Sequence, residues 1–125
     1  MSALERINYP VLGEVTAPYV HAVRHNTTLY ISGLTAFGSA AQKGTIAEQA
    51  EVIFQQIQLI AEAENTTLGA LIKVTIFITL FDDIDALRAV LFRYYGDALP
   101  ASALVQVSGL YSPDLKIEIE AILAL

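Results

Sequence analysis

Near its C-terminus the chain reads Lys116-Ile117-Glu118-Ile119-Glu120-Ala121-Ile122, preceded by Leu99-Pro100-Ala101-Ser102-Ala103-Leu104-Val105-Gln106-Val107. Both runs alternate with a period of two, as in strands with one face buried and the other turned to something polar. Ile117, Ile119 and Ala121 share one face, which leaves Glu118 and Glu120 side by side on the other. In the earlier run Ser102, Leu104 and Gln106 share a parity. The connection Ser108-Gly109-Leu110-Tyr111-Ser112-Pro113-Asp114 is short and rich in turn residues. It predicts an antiparallel return, with the Pro-led strand beside the paired-carboxylate strand.

Outward from this pair, Ile72 to Thr79 is apolar on both parities and too short for a buried helix, which predicts a central strand. Thr45-Ile46-Ala47-Glu48 fits a capping box opening a helix, with Ile46, Ala50, Ile53, Ile57, Ile60 and Ala61 at helical spacing to about Asn65. Asp82 and Asp83 can cap a second helix from Ile84 to Tyr95, with Ile84, Leu87, Leu91 and Tyr94 or Tyr95 inward and Gly96 at its stop. Tyr19 to Arg24 and Thr28 to Ser32 alternate around His25-Asn26-Thr27, which predicts a hairpin ending at Ser32-Gly33, where glycine permits a bend or a close approach. Tyr9 to Pro18 reads as loop, and Leu34 to Gly44, rich in small residues, as a mobile loop. Hairpin, helix, strand, helix, strand, strand is an α+β order: a mixed β-sheet with two helices packed on one face, in a single domain spanning 1–125.

Of the 125 residues, 54% are hydrophobic and 16% charged, against roughly 25% charged in an ordinary soluble domain. A domain of this length cannot hide that much apolar surface by itself, so a homo-oligomer is expected. A net charge of −6, with seven scattered Lys and Arg, argues against nucleic-acid binding, whose affinity comes from basic residues displacing counterions. Absence of cysteine suits a reducing compartment. Met1 to Arg6 carries no leader pattern, and no apolar run reaches membrane-spanning length, so the expectation is a cytoplasmic protein without membrane partners.

Glu118 and Glu120 read either as a water-activating carboxylate whose pKa its neighbour raises, or as a solvated strand face. His21 and His25 lack companion carboxylates or thiols, so no metal site is predicted. Ser32 has no nucleophile-elbow setting, which excludes the usual serine-hydrolase reading.

Pro18-Tyr19, Ser32-Gly33, the long helix, Lys73-Val74-Thr75-Ile76-Phe77-Ile78, Pro100-Ala101 and Ile117-Glu118-Ile119-Glu120-Ala121-Ile122 stand in an order and spacing that resembles the RidA/YjgF family over nearly the whole chain. The resemblance implies a chorismate-mutase-like fold and a homotrimer with small-molecule clefts between adjacent subunits. It also implies cofactor-independent hydrolysis of enamines and imines to carbonyl products and ammonia. Matched residue by residue, it implies Glu118 as the water-positioning carboxylate, with Tyr19, Ser32 and Gly33 lining the cleft; Glu120, adjacent on the same strand face, is read as the neighbour that tunes Glu118. The family's Pro-Ala-Arg, whose arginine clamps a substrate carboxylate, is here Pro100-Ala101-Ser102. A serine hydroxyl offers one neutral hydrogen bond where a guanidinium offers two charged ones, so an altered substrate is expected. A family asparagine in the second helix appears as Arg88, which either restores the missing charge or is an exposed residue spaced to pair with Asp85. The alternative to a divergent deaminase is a non-catalytic trimer that binds a metabolite or a protein partner.

Overall fold

A computed structural model describes residues 3–125; Met1 and Ser2, part of the stretch read above for a leader, lie outside the described residues. Six strands, β1 (Leu4–Ile7), β2 (Ala22–His25), β3 (Thr28–Leu34), β4 (Leu71–Ile78), β5 (Ala101–Gln106) and β6 (Ile117–Ala124), form one mixed sheet in the order β1-β2-β3-β6-β4-β5. Helices α1 (Ile46–Ala63) and α2 (Ile84–Tyr95) cover one face of it. Among the described residues no helix is long and apolar enough to cross a membrane.

The alternation in β6 behaves as read: Ile117, Ile119, Ala121 and Leu123 are buried under the helices, and Glu118 and Glu120 stand on the opposite face. Val74, Ile76 and Ile78 of β4 share the covered side, packing with Ile53, Phe54, Ile57 and Ile60 of α1 and Leu87 and Val90 of α2. The α1 capping box is complete: the Thr45 hydroxyl accepts from Glu48 N at 3.1 Å and Thr45 N donates to Glu48 Oε1 at 2.9 Å. At α2 the expected acidic cap is not made; Asp83 occupies the N-cap position without a side-chain hydrogen bond. Packing holds this helix instead, with Phe54 of α1 lying 5.1 Å from the Tyr94 ring and 5.5 Å from that of Tyr95.

The expected hairpin between the last two strands does not form. β5 pairs in parallel with β4, and β6 pairs antiparallel with both β4 and β3, so β4 separates the two runs. Strand, helix, strand is a crossover unit, and α2 returns the chain parallel to β4. β6 then takes the most buried place beside β4, leaving β5 on the edge with all six residues exposed. Leu104 and Val105 there, Leu99 just before the strand, Leu80 and Phe81 just after β4, and Phe92 on α2 contribute exposed apolar surface.

At the other edge β1 was not expected from the sequence; four residues, three of them exposed, are too few to carry a periodic signal. β2 begins three residues later than predicted, so Tyr19 and Val20 belong to the loop, while Asn26 takes positive φ (57°) in the turn as anticipated. The stretch from Leu34 to Gly44, expected to be mobile, is laced with turn hydrogen bonds such as Gly38 N to Gln42 Oε1 (2.8 Å) and Ser39 N to Ala36 O (3.0 Å). A buried amide ties it down. Gln49 donates through Nε2 to the carbonyls of Gln42, Gly44 and Asp114 and accepts from Lys116 N at 2.8 Å.

Candidate functional site

On the face without helices, between the 14–19 loop, β3 and β6, lies a cleft of about 820 Å³. Five residues singled out from sequence line it together: Tyr19, Ser32, Gly33, Glu118 and Glu120.

Their placement follows from an irregularity in β3. Its pairing with β6 shifts between Ile31 and Leu34, so Ser32 and Gly33 sit at a bulge, a device that re-aims side chains beside functional sites. The Ser32 hydroxyl donates to Val20 O at 2.6 Å and Ser32 N donates to His21 O at 3.0 Å. Ser32 therefore fixes the end of the loop that presents Tyr19. The buried His21 secures that loop from behind: its Nδ1 accepts from Tyr9 N at 2.9 Å and its backbone N–H donates to Asn8 Oδ1 at 3.0 Å. Burial keeps the imidazole pKa below its usual value.

Gly33 lies directly against the Glu118 carboxyl group. A Cβ at this position would stand 3.0 Å from Glu118 Cδ and closer still to Oε2, inside van der Waals contact. The sequence suggested that glycine permits a bend or a close approach here; the strand pairing is irregular at this point, and what approaches is the carboxylate of the neighbouring strand. Burial is the main cause raising the Glu118 pKa above the usual carboxylate range, and the negative charge of Glu120 adds to it. Among the described residues Glu118 has neither a hydrogen bond nor an ion pair. Such a group can accept a proton from, and orient, a water held against it. Tyr19 is 55% exposed, so its ring forms cleft wall rather than core.

Ser102 and Arg88 lie elsewhere in the same protomer. Ser102 pairs with Val74, which faces the helices, whereas Glu118 pairs with Phe77 on the opposite face. Ser102 is thus two strands across and three residues along from Glu118, roughly 14 Å away on the other side of the sheet. Arg88 is exposed on α2 in the helix layer, and among the described residues it forms no ion pair, with Asp85 or any other acid.

The cleft also contains residues the sequence reading missed, chiefly Glu14, Phe37 and Tyr111. All three lie in loops, where periodicity gives no signal; an isolated aromatic within a stretch of small or turn residues was the one available clue. Among the described residues no group of histidines and carboxylates is arranged to hold a metal ion.

Residues 12–125 match the family model described as Endoribonuclease L-PSP. A 2-iminobutanoate/2-iminopropanoate deaminase of Dermatophagoides farinae is 28% identical over 128 residues, covering 100% of this chain and 99% of the relative. Protein HMF1 of Saccharomyces cerevisiae is 31% identical over 110 residues, covering 86% and 84% of the two chains. The solved structure of a Pseudomonas aeruginosa protein of unknown function superposes with a TM-score of 0.90 at 31% identity, over 100% of this chain and 94% of that one. With a family model spanning nearly its whole length and the same chorismate-mutase-like sheet as its structural neighbours, the chain belongs to the Endoribonuclease L-PSP family, the RidA/YjgF proteins.

Proposed function

We propose that the protein is a divergent, cofactor-independent imine and enamine hydrolase in which Glu118 is the catalytic carboxylate. The observation that carries this reading is the half-buried, unpartnered Glu118 with its raised pKa, seated against Gly33 in an open cleft. Glu118 takes a proton from a cleft water as the water oxygen attacks the imine carbon and returns that proton to the imine nitrogen, which regenerates the carboxylate. Collapse of the resulting carbinolamine breaks the carbon–nitrogen bond, so that imine plus water gives carbonyl product plus ammonia. Ser32 and Tyr19 shape the site around that carbon. Despite the family's name the cleft does not favour an RNA substrate, because it offers phosphate three carboxylates (Glu14, Glu118, Glu120) and no basic residue.

A homotrimer fits this reading. In its own protomer Ser102 is on the wrong side of the sheet to meet Glu118, so the Pro100-Ala101-Ser102 segment can border the cleft only from a neighbouring subunit. The exposed apolar edge around Leu99, Leu104 and Val105 suits burial in such an assembly. Serine at the position of the family's clamp also favours a second reading, a trimer that binds a metabolite without turnover.

The two readings separate in one assay. Imines are generated in situ, from amino acids by a dehydratase and from amines by a flavin amine oxidase, with semicarbazide as the competing trap. A hydrolase suppresses semicarbazone formation in at least one series, and Glu118→Gln abolishes the suppression. Trapping unaffected by the wild-type protein in both series would leave the binding reading.

A further inference from the structure

The cleft wall carries three aromatic rings, Tyr19, Phe37 and Tyr111, and three carboxylates, with no lysine, arginine or histidine among the residues lining it. Phe37 and Tyr111 meet edge to face, with ring centroids 5.0 Å apart and planes at 86°. Yet they remain 54% and 83% exposed. Rings held in this way present free π-faces to the cleft instead of filling a core.

The pair is also braced from beneath. Phe37 comes from the loop after β3 and Tyr111 from the loop before β6; Gln49 bonds to both loops, and Gln42 Nε2 reaches Asp114 Oδ2 at 3.3 Å. The rim is therefore pre-organised across a gap in sequence that no local interaction spans.

Charge then restricts what can enter. An anion would approach Glu14, Glu118 and Glu120 with no basic residue in the cleft lining to receive it, whereas a cation is attracted both by those carboxylates and by the ring faces. None of the chain's seven Lys and Arg residues lines the cleft: Arg24 pairs with Glu5 and Glu64, Arg93 with Glu51, the Lys116 ammonium donates to Gly44 O, and Lys73 lines an adjoining depression of about 180 Å³ that shares Glu120. The cleft volume of about 820 Å³ lies within the range of roughly 300–1,000 Å³ found for sites that enclose drug-sized ligands.

We propose that the cleft selects organic cations that carry an aromatic or bulky apolar group and no carboxylate, amines and protonated imines, with Phe37 and Tyr111 as the specificity-determining residues. The inference names the substrate class for the cleft of the hydrolase reading, and so rests on that reading for the site, but its binding step does not require turnover.

Calorimetric titration of the protein in its solution assembly with 2-phenylethylammonium and with phenylacetate, the same ring with opposite charge, tests it. The ammonium is expected to bind at least about tenfold more tightly than the carboxylate, in keeping with ring-plus-carboxylate recognition of cations. Tyr111→Ala and Phe37→Ala are expected to weaken the ammonium about three- to tenfold, and Tyr111→Phe to retain it. Both rings are too exposed for these changes to be expected to unfold the chain, which circular dichroism of each variant would check. Phenylacetate binding as tightly as the ammonium, no ammonium binding, or an unchanged affinity in Tyr111→Ala overturns the proposal. A kinetic arm compares the imine made from 2-phenylethylamine with the 2-imino acid made from phenylalanine. Ammonium binding without hydrolysis of either imine sinks the hydrolase reading and upholds the selection. Hydrolysis of the 2-imino acid in preference to the carboxylate-free imine does the opposite.

Discussion

Replacing Gly33 by alanine is expected to disable the site while leaving the fold intact. The added Cβ would stand 3.0 Å from Glu118 Cδ, whereas ordinary contact begins near 3.4 Å, and Oε2 is closer still. Backbone on β3 is held by the sheet, so the flexible end of Glu118 gives way, moving its carboxylate by on the order of 1 Å, enough to cost about 100-fold in rate. That loss corresponds to roughly 2.7 kcal/mol of transition-state stabilisation. Stability behaves differently. Gly33 is not among the glycines with positive φ, and alanine in a strand recovers about 0.5–1 kcal/mol of chain entropy, which offsets the displaced side chain. The melting temperature is therefore expected to stay within about 2 °C of wild type. Semicarbazide competition gives the rate, and thermal unfolding followed by circular dichroism gives the stability. A double variant with Glu118→Gln is expected to be no worse than Glu118→Gln alone, because both changes remove the same positioned carboxylate. Retention of more than half the activity in Gly33→Ala, or full additivity in the double variant, would refute this reasoning.

Glu118 also predicts a pH dependence. Its folded pKa lies above the ordinary 4.5, so the folded state binds the proton more tightly than the unfolded chain, and stability falls as pH rises from about 4.5 through the raised value. Glu118→Gln is accordingly expected to melt higher than wild type at pH 7, an advantage that vanishes below pH 4.5, as thermal melts across pH would record. Glu120→Gln removes the smaller of the two causes, shifting the acidic limb of the kcat/KM profile to lower pH without bringing it to the ordinary carboxylate value. Gln49→Ala strands the carbonyls and the amide that the side chain satisfies, at about 2–4 kcal/mol measured by chemical denaturation. Ser102→Arg is expected to raise turnover of 2-imino acids roughly 10- to 100-fold if a neighbouring subunit brings position 102 to the cleft, since a charged hydrogen bond contributes about 1.5–3 kcal/mol. No gain in semicarbazide competition would place that segment away from the cleft.

Much of the fold was legible because its elements carry their own periodicity. The α1 stripe and its capping box, the doubly apolar β4 and the alternation of β6 each sit where their residues imply. Strand order was not legible in the same way. Alternation tells a strand which face to bury but not which strand to lie beside, and the turn-rich 108–114 connection suited either a hairpin or a passage across the end of β4. What decided it was the competition among strands for the buried centre, won by β4 and β6, with β5 left at the edge.

The sequence pointed to Tyr19, Ser32, Gly33, Glu118 and Glu120 as candidates, and its resemblance to the family pointed to Ser102 as a serine where the family has arginine, because each occupies a position within a short motif whose spacing survives in one dimension. Only the tertiary structure brought those five residues into one cleft, seated the Glu118 carboxyl group against Gly33, and set Phe37 beside Tyr111 above them. It also put Ser102 on the far side of the sheet from Glu118. Local pattern records which way a side chain points along its own strand or helix; contacts between residues far apart in the chain depend on packing of the whole sheet, and loop residues such as Phe37 and Tyr111 acquire a role only through the surfaces that packing places beside them.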